Sequence, residues 1–286
     1  MILVTGATGA VGDAVARQLA ARQHVRVLAR RPERISVTGP RVETVAADYS
    51  EPSALRRALR GVRAAFLVTN HPTEPHDETF LEAAAAMDVA HVVKLSAAAV
   101  DDGLDDVVTC RQRAIEAAVR SAGVAWTLLR PRAFMSNTLA WAPEVRRTGT
   151  VCALYGDAAN VPVDPRDVAH AAVQALTEPG HEGKTYTLAG PERLTARDQT
   201  RILAQVLARP LEFREWTPEE ARGHLSRRFP PAVVEALLQR AALQAAGGKA
   251  LHGDAPAGRA GRPATVYRTW AQDHAHHFSE GTRRAT

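Results

Sequence analysis

Short apolar runs alternate with amphipathic segments through the first half of the chain. The apolar runs are typical of buried strands, and the segments between them have helical spacing. Strands are predicted at 2–4, 24–29, 41–46, 64–68, 91–96 and 125–129, and helices at 13–22, 52–59, 77–87 and 105–122. This alternation predicts a parallel sheet covered on both faces, an α/β fold of the Rossmann-type, doubly wound class.

The pattern becomes less regular after Pro131. Helices are predicted at 164–176, 196–208, 218–225, 232–246 and 265–278, with one strand at 184–188. The Gly-, Ala- and Pro-rich stretch 247–263 predicts a long loop. We expect a Rossmann domain formed by 1–133, with 160–189 returning to it, and a small C-terminal lobe formed by 134–159 and 190–286.

A glycine-rich turn lies at the very start of the chain, in the sequence Ile2-Leu-Val-Thr-Gly-Ala-Thr-Gly-Ala-Val-Gly12. A buried strand leads directly into the turn, and a helix follows it. Such a turn binds a dinucleotide pyrophosphate, because free backbone N–H groups and the positive end of the helix dipole face the anion. The cofactor-binding residues predicted here are Gly6, Thr8, Gly9, Ala10, Val11 and Gly12. A glycine-rich turn without a ligand is the alternative.

The residues after strands 2 and 3 indicate which dinucleotide binds. Strand 2 ends in Arg30 and Arg31, where an NAD site usually has an acidic residue. A guanidinium suits a 2′-phosphate, so we expect NADP(H). Arginines that merely face solvent are the alternative. Asp48 and Tyr49 are placed to meet the adenine, although Asp48 could equally cap the next helix.

The ends of strands 4 and 5 are expected near the nicotinamide. Thr69 and Asn70 are predicted to bind the cofactor, and so is Ser96, which is also a candidate catalytic residue. His71 is a candidate proton donor because imidazole titrates near neutral pH, with a polar loop residue as the alternative. Lys94 either faces the cofactor as a catalytic candidate or extends past the core towards solvent.

Composition narrows the class of protein. Hydrophobic residues make up 45% of the 286 residues and charged residues 23%, which is typical of a soluble globular protein. Two cysteines exclude a disulfide framework and a cysteine-rich zinc site, and they fit a cytoplasmic protein. The net charge of +5 comes from scattered arginines, so we expect no nucleic-acid partner. No apolar run approaches the length needed to span a bilayer, so we expect no membrane partner. No metal site is predicted, and a homodimer is left open.

Several motifs along the chain are similar to motifs of a known protein family. They are Gly6-Ala-Thr-Gly-Ala-Val-Gly12, Val93-Lys-Leu-Ser-Ala97, Trp126-Thr-Leu-Leu-Arg-Pro131, Phe134-Met-Ser-Asn137, Val163-Asp-Pro-Arg-Asp-Val168 and Tyr186-Thr-Leu-Ala-Gly-Pro191. Together they resemble the atypical short-chain dehydrogenase/reductases, and within these the NmrA-like group of NAD(P)H-binding, quinone-reductase-like proteins. The resemblance covers nearly the whole chain and is weakest over residues 247–263. It implies a Rossmann fold in a group that includes both reductases and nucleotide-binding regulators.

The resemblance also shows what this chain lacks. Short-chain reductases usually combine a Ser with a Tyr that protonates the carbonyl and a Lys that lowers the pKa of the Tyr. Ser96 matches the serine. Counting back from Glu116, the Tyr and Lys positions hold Val108 and Gln112, which cannot supply that acid. The absence of this pair is common in the NmrA-like group, and here it leaves the proton source unassigned.

The segment after strand 6 is the predicted substrate site. Phe134, Asn137 and Trp141 would form a mostly apolar wall with one amide, which suits a flat, weakly polar molecule. Asn137 is also a catalytic candidate, because its amide could orient an acceptor oxygen. Ordinary packing is the alternative, and Trp141 and Trp216 could instead fill the core of the lobe.

The sequence predicts an NADPH-dependent oxidoreductase that reduces a small-molecule quinone, enone, imine or ketone. Hydride delivery from a positioned cofactor would supply the main chemistry. A non-catalytic NADP-sensing regulator and a non-redox enzyme on the same scaffold stay open as alternatives.

Overall fold

The computed structural model describes residues 1–69, 74–248, 255–256 and 263–279. These residues form ten strands: β1 (Ile2–Thr5), β2 (Val25–Ala29), β3 (Val42–Ala46), β4 (Ala64–Leu67), β5 (His91–Leu95), β6 (Ala125–Pro131), β7 (Thr150–Ala153), β8 (Lys184–Ala189), β9 (Glu212–Glu215) and the two-residue β10 (Ala255–Pro256).

The described residues also form ten α-helices. They are α1 (Ala10–Ala20), α2 (Pro52–Leu59), α3 (His76–Ala86), α4 (Val107–Ser121), α5 (Ala142–Thr148), α6 (Pro165–Thr177), α7 (Ala196–Val206), α8 (Pro218–Leu225), α9 (Pro231–Ala245) and α10 (Tyr267–Asp273). Among these residues, none of the helices is both long enough and apolar enough to cross a membrane.

The first compact unit contains Met1–Pro131 and Pro165–Leu188. Its sheet has the order β10-β8-β6-β5-β4-β1-β2-β3, and the pairs from β8 to β3 are parallel. The strand order changes direction between β1 and β4, and a doubly wound sheet binds its ligands at the carboxyl ends of the strands beside that point. The predicted fold class is confirmed.

The core of the first unit forms because its central strands carry apolar residues on both faces. β1 and β4 are buried throughout. Leucines of β1, β2 and β6 pack with apolar residues of α2, α3 and α4 on one face, while α1 and α6 contact the strands and each other. Burial of this kind contributes about 25 cal/mol per Å² of apolar area.

Local signals explain where several helices begin. The side chain of Asp106 accepts hydrogen bonds from the N–H groups of Val108 and Thr109, so α4 starts at Val107 rather than at 105. Thr195 and Asp198 form the capping box of α7, as expected for a helix beginning at Ala196.

The second unit contains Arg132–Asp164 and the described residues from 189 onward other than β10. β7 pairs in parallel with β9, and a core of Met135, Val151, Leu203 and Trp270 lies among its helices. The sequence analysis did not predict α5, β7 or β9. The predicted helix 265–278 is shorter, because α10 ends at Asp273 before a 3₁₀ turn. Substrate binding by this unit stays a prediction.

Candidate functional site

The glycine turn has the geometry of an anion-binding loop. Gly6 has a φ of +66°, and the N–H of Gly9 donates to the carbonyl of Gly6 at 2.9 Å. A Cβ atom on Gly12 would lie 2.3 Å from the Gly6 carbonyl oxygen, so the fold itself requires glycine at 12. A Cβ on Gly9 would lie 3.4 Å from that same oxygen, which is a tolerable contact. Close approach of a ligand is therefore the better explanation for glycine at 9.

A cavity of about 570 Å³ lies in the first unit. Its walls come from the glycine turn and from the segments that follow β2, β3 and β4. The lining residues are Gly6, Ala7, Thr8, Leu28, Ala29, Arg30, Arg31, Arg34, Asp48, Tyr49, Val68, Thr69 and His76. Its volume is within the range of about 300–1,000 Å³ that is usual for cofactor sites.

Three arginines line this cavity. Arg30 and Arg31 were predicted from the end of β2, and Arg34 joins them from a short 3₁₀ helix, Pro32–Arg34. All three residues are exposed, so their guanidinium groups keep their hydration until a ligand arrives. Arg34 was missed because its place in the wall depends on the turn that Pro32 starts, not on the end of a strand.

Asp48 does not cap the next helix, because the N-cap of α2 is Glu51 and has no side-chain cap hydrogen bond. The contact of Asp48 with the adenine stays a prediction. Its Oδ1 accepts hydrogen bonds from the backbone N–H of Ser50 at 2.9 Å and from the Ser50 hydroxyl at 2.8 Å, which fixes the turn before α2. These bonds, assisted by the charge of Arg30, hold the pKa of Asp48 below its usual value. The residue nevertheless lines the cavity.

An aromatic pair forms another part of the wall. The rings of Tyr49 and His76 stack with centroids 5.2 Å apart, and both residues line the cavity. Burial raises the pKa of Tyr49 to about 12, so this phenol is a packing surface rather than an acid. His76 was not predicted. Its position at the start of α3, directly after Pro75, is the sequence signal that could have indicated it.

Lys94 lies in a buried ionic network and not at the surface. Its side chain is 0% exposed, and Nζ is 2.8 Å from Oδ1 of Asp77, which is 1% exposed. Nζ also donates to the hydroxyl of Thr69 at 3.1 Å. The interpretation of a lysine that extends to solvent is therefore wrong. Lys94 is absent from the cavity lining, but its bond to Thr69 connects it to a residue that lines the cavity.

Ser96 belongs to a second buried network. Its hydroxyl donates to Oε1 of Glu116 at 2.6 Å, and Nε of Arg130 donates to the same oxygen at 2.8 Å. Burial opposes ionisation of Glu116, but the hydrogen bonds from Arg130 and Ser96 keep the pKa of this carboxyl below its usual value. Because Ser96 is not in the cavity lining either, its catalytic and cofactor roles stay predictions. Asn70 and His71 lie outside the described residues.

The three predicted substrate residues share a pocket in the second unit. Phe134, Asn137 and Trp141 line a space of about 210 Å³ together with Thr138, Leu154, Tyr155, Leu194, Gln199 and Gln244, among others. Trp216 is not in this lining. It packs beside the buried cluster of Ala221, Val234 and Leu238, where it fills the core.

Tyr155 is a pocket residue that the sequence did not indicate. Its φ of +48° lies in the left-handed region, which bulky side chains rarely adopt. The Tyr155 carbonyl accepts a hydrogen bond from the N–H of Ala158 at 2.8 Å. Such strain often accompanies a functional position, because the surrounding contacts hold a side chain where packing alone would not place it.

The described part of the chain contains no group of three or more His, Cys, Asp or Glu residues that could hold a metal ion. His274 stacks on Trp270 with ring centroids 4.4 Å apart, which gives this histidine a packing role.

The sheet, the glycine turn and the arginine-lined cavity together define a dinucleotide-binding protein. A model of the NAD(P)H-binding family matches residues 6–179, and the chain belongs to this family. It is an NAD(P)H-dependent oxidoreductase that acts on a small organic acceptor, as the sequence analysis predicted.

Curated relatives support this class. The chain is 55% identical to a (4-alkanoyl-5-oxo-2,5-dihydrofuran-3-yl)methyl phosphate reductase of Streptomyces griseus, over 98% of this chain and 99% of the relative. It is 32% identical to an NAD(P)H azoreductase of Xenophilus azovorans, over 97% of this chain and 99% of the relative.

A solved structure confirms the fold. The NADPH-dependent quinone oxidoreductase of Escherichia coli, crystallised with NADPH, has a TM-score of 0.82 and 24% identity to this chain. The likeness covers 96% of this chain and 99% of the other. The predicted resemblance to quinone-reductase-like, NmrA-like proteins is confirmed.

Proposed function

We propose that this protein uses NADPH to reduce the ring double bond of a (4-alkanoyl-5-oxo-2,5-dihydrofuran-3-yl)methyl phosphate. The observation that carries the proposal is the 55% identity to the Streptomyces griseus reductase of that substrate. The aligned region covers 98% of this chain, so the segments that form the cavity of the first unit and the pocket of the second lie within it.

The chemistry of this substrate suits the missing Tyr-Lys pair. Its ring has a double bond between C3 and C4, conjugated with the lactone carbonyl at C5 and with the alkanoyl carbonyl on C4. A hydride from NADPH adds to C3, the electron pair moves to C4 and the two carbonyl oxygens, and a proton then adds to C4. NADPH becomes NADP⁺ in the same step.

Two carbonyl groups share the negative charge of the intermediate, so it is a weak base. Little acid assistance is needed, which matches Val108 and Gln112 at the positions where the Tyr and Lys would stand. Positioning of cofactor and acceptor then supplies most of the rate.

The arginines support NADPH rather than NADH. A 2′-phosphate carries close to two negative charges and offers several acceptor oxygens, and Arg30, Arg31 and Arg34 all line the cavity. The ribose of NADH has no 2′-phosphate for these guanidinium groups to bind.

The pocket of the second unit is suited to the acyl half of the substrate. Phe134, Trp141, Leu154 and Leu194 offer apolar surface for the alkanoyl chain, and Asn137 offers an amide N–H for a carbonyl oxygen. The described residues that line this pocket include no Lys or Arg, so the phosphate group is expected to bind outside it.

The experiment is a substrate panel with purified protein and NADPH. A synthetic 4-alkanoyl dihydrofuranone phosphate, its dephosphorylated analogue, a benzoquinone and an azo dye are compared by NADPH consumption. We expect kcat/KM for the phosphate to exceed that for the quinone and the dye by about 100-fold or more, the scale on which specific polar recognition separates substrates. A quinone or azo dye that is reduced faster than the phosphate would contradict the proposal.

A further inference from the structure

A fully buried ion pair lies directly behind the wall of the cofactor cavity. Lys94 of β5 and Asp77 of α3 are 0% and 1% exposed, and they join at Thr69, which lines the cavity. The network therefore connects the end of β4, the strand β5 and the first turn of α3.

Stability alone does not account for such a pair. Removing two charges from water has a large free-energy cost, and apolar residues of similar volume are often as stabilising as a buried ion pair. Residues of the neighbouring core, such as Phe80 and Val92, show that apolar side chains pack well in this layer. The retained charges call for a role that apolar side chains cannot fill.

The hydrogen bonds of the Thr69 hydroxyl indicate that role. A hydroxyl has one hydrogen to donate and two lone pairs that can accept. The hydrogen goes to Oδ2 of Asp77 at 2.5 Å, and one lone pair accepts from Nζ of Lys94 at 3.1 Å. A single acceptor position is left, so Thr69 can bind only a donor group of a ligand.

We propose that Lys94 and Asp77 are positioning residues that turn Thr69 into an obligate hydrogen-bond acceptor for a ribose hydroxyl on the nicotinamide side of NADPH. The arginines follow β2, on one side of β1, and Thr69 follows β4, on the other side. With the 2′-phosphate at the arginines, the nicotinamide half extends past the glycine turn towards β4. This inference rests on NADPH binding and is independent of which acceptor the enzyme reduces.

The first test changes Thr69 and measures binding, without any substrate. Thr69→Val keeps the shape and removes the hydroxyl, and Thr69→Ser keeps the hydroxyl. The two ligands are NADPH and adenosine 2′,5′-bisphosphate, which has the 2′-phosphate but no nicotinamide ribose. We expect Thr69→Val to weaken NADPH binding about tenfold, the scale of one hydrogen bond, and to leave the affinity for the bisphosphate unchanged. Thr69→Ser should restore NADPH affinity.

The second test asks whether the ion pair sets the direction of the Thr69 hydrogen bond. Asp77→Asn presents an amide N–H to the Thr69 hydroxyl. The hydroxyl hydrogen is then free, and Thr69 is no longer restricted to accepting a hydrogen bond from the ligand. We expect Asp77→Asn to weaken NADPH binding about as much as Thr69→Val does, and to leave binding of the bisphosphate unchanged. Adding Thr69→Val to Asp77→Asn should not weaken NADPH binding further. If Asp77→Asn does not fold, Lys94→Met with Asp77→Asn removes both charges and carries the same expectation.

The matched control is the neighbouring ion pair of Arg111 and Glu78, which joins α3 to α4 at 2.7 Å without touching Thr69. Glu78→Gln with Arg111→Met should leave both affinities unchanged. The inference is overturned if Thr69→Val binds NADPH like the wild type, or if it lowers the affinities for NADPH and the bisphosphate equally. It is also overturned if the losses of NADPH affinity caused by Thr69→Val and Asp77→Asn add in the double variant. Weak NADPH binding by the wild type would instead contradict the proposed cofactor.

Discussion

The two units of this protein differ in how directly their function can be recognised from the backbone. In the first unit, the backbone makes most of the candidate site: a glycine turn, strand ends and a helix N-terminus, completed by three arginines. In the second unit, side chains from loops, a 3₁₀ turn and the helices α7 and α9 line the pocket, and no glycine motif marks it. The difference indicates that the first unit determines the class of reaction, and we expect the second to select the substrate.

The strongest test of the first unit compares two of its glycines. Gly12→Ala should lower the free energy of unfolding by about 3 kcal/mol, because its Cβ would overlap the Gly6 carbonyl oxygen. Gly9→Ala should stay within about 1 kcal/mol of the wild type and yet weaken NADPH binding. Urea unfolding without ligand, followed by calorimetric titration, separates the two effects. Equal destabilisation by both variants would contradict the role assigned to Gly9.

The arginines test the cofactor preference. Arg30→Ala should weaken NADPH by about 1.5–3 kcal/mol, the scale of hydrogen bonds to charged groups, and should affect NADH little. Arg34→Ala should also weaken NADPH binding and affect NADH binding little. Arg22→Ala, an exposed arginine of the same unit outside the cavity lining, is the control. Equal titration affinities of the wild type for NADPH and NADH would refute the preference.

A substitution of Asn137 tests whether the second unit binds the substrate. Asn137→Ala should lower kcat/KM by about 1–3 kcal/mol while NADPH affinity stays unchanged, because the lost partner is the substrate. Asn160→Ala is the comparison within the same pocket: its amide already donates to Gln244, so we expect a smaller loss of kcat/KM than for Asn137→Ala. If Asn137→Ala weakens NADPH and leaves the catalytic step intact, Asn137 binds the cofactor and the two units do not divide their roles as proposed.

A smaller effect concerns the pH dependence of the first unit. Burial lowers the pKa of His91 from its ordinary value of 6.5, although the nearby Glu182 opposes the shift and His181 assists it. The unfolded chain therefore binds a proton at His91 more readily, and stability falls as the pH decreases below 6.5. His91→Gln should weaken this dependence in urea unfolding at a series of pH values. An unchanged dependence would show that other groups cause it.

The sequence predicted the first unit well because local chemistry determines its elements. The predicted bounds of α2 match the structure, and Pro52 at its first position explains why. Arg34, His76 and Tyr155 were missed, because they reach their cavities from a 3₁₀ turn, a helix start and a strained loop position rather than from a strand end. Lys94 was assigned to a surface or a cofactor contact because its partner Asp77, distant in sequence, could not be identified from a linear pattern.

The second unit was predicted less completely for a related reason. β9 has the sequence Glu-Phe-Arg-Glu and is mostly exposed, so it carries no apolar run. It is stabilised by pairing with β7, a contact between distant segments. The helix α8 was predicted with its observed bounds, and α9 was predicted one residue too late, at 232–246, since it begins at Pro231.

The central claim is that this enzyme delivers hydride from NADPH to ring carbon C3 of a 4-alkanoyl dihydrofuranone phosphate. The most direct measurement uses NADPH with deuterium at both C4 positions of the nicotinamide, followed by NMR of the product. We expect one deuterium at C3 and one solvent-derived hydrogen at C4 of the ring. Deuterium on the carbinol carbon of a reduced alkanoyl group, or no consumption of the dihydrofuranone, would contradict the claim.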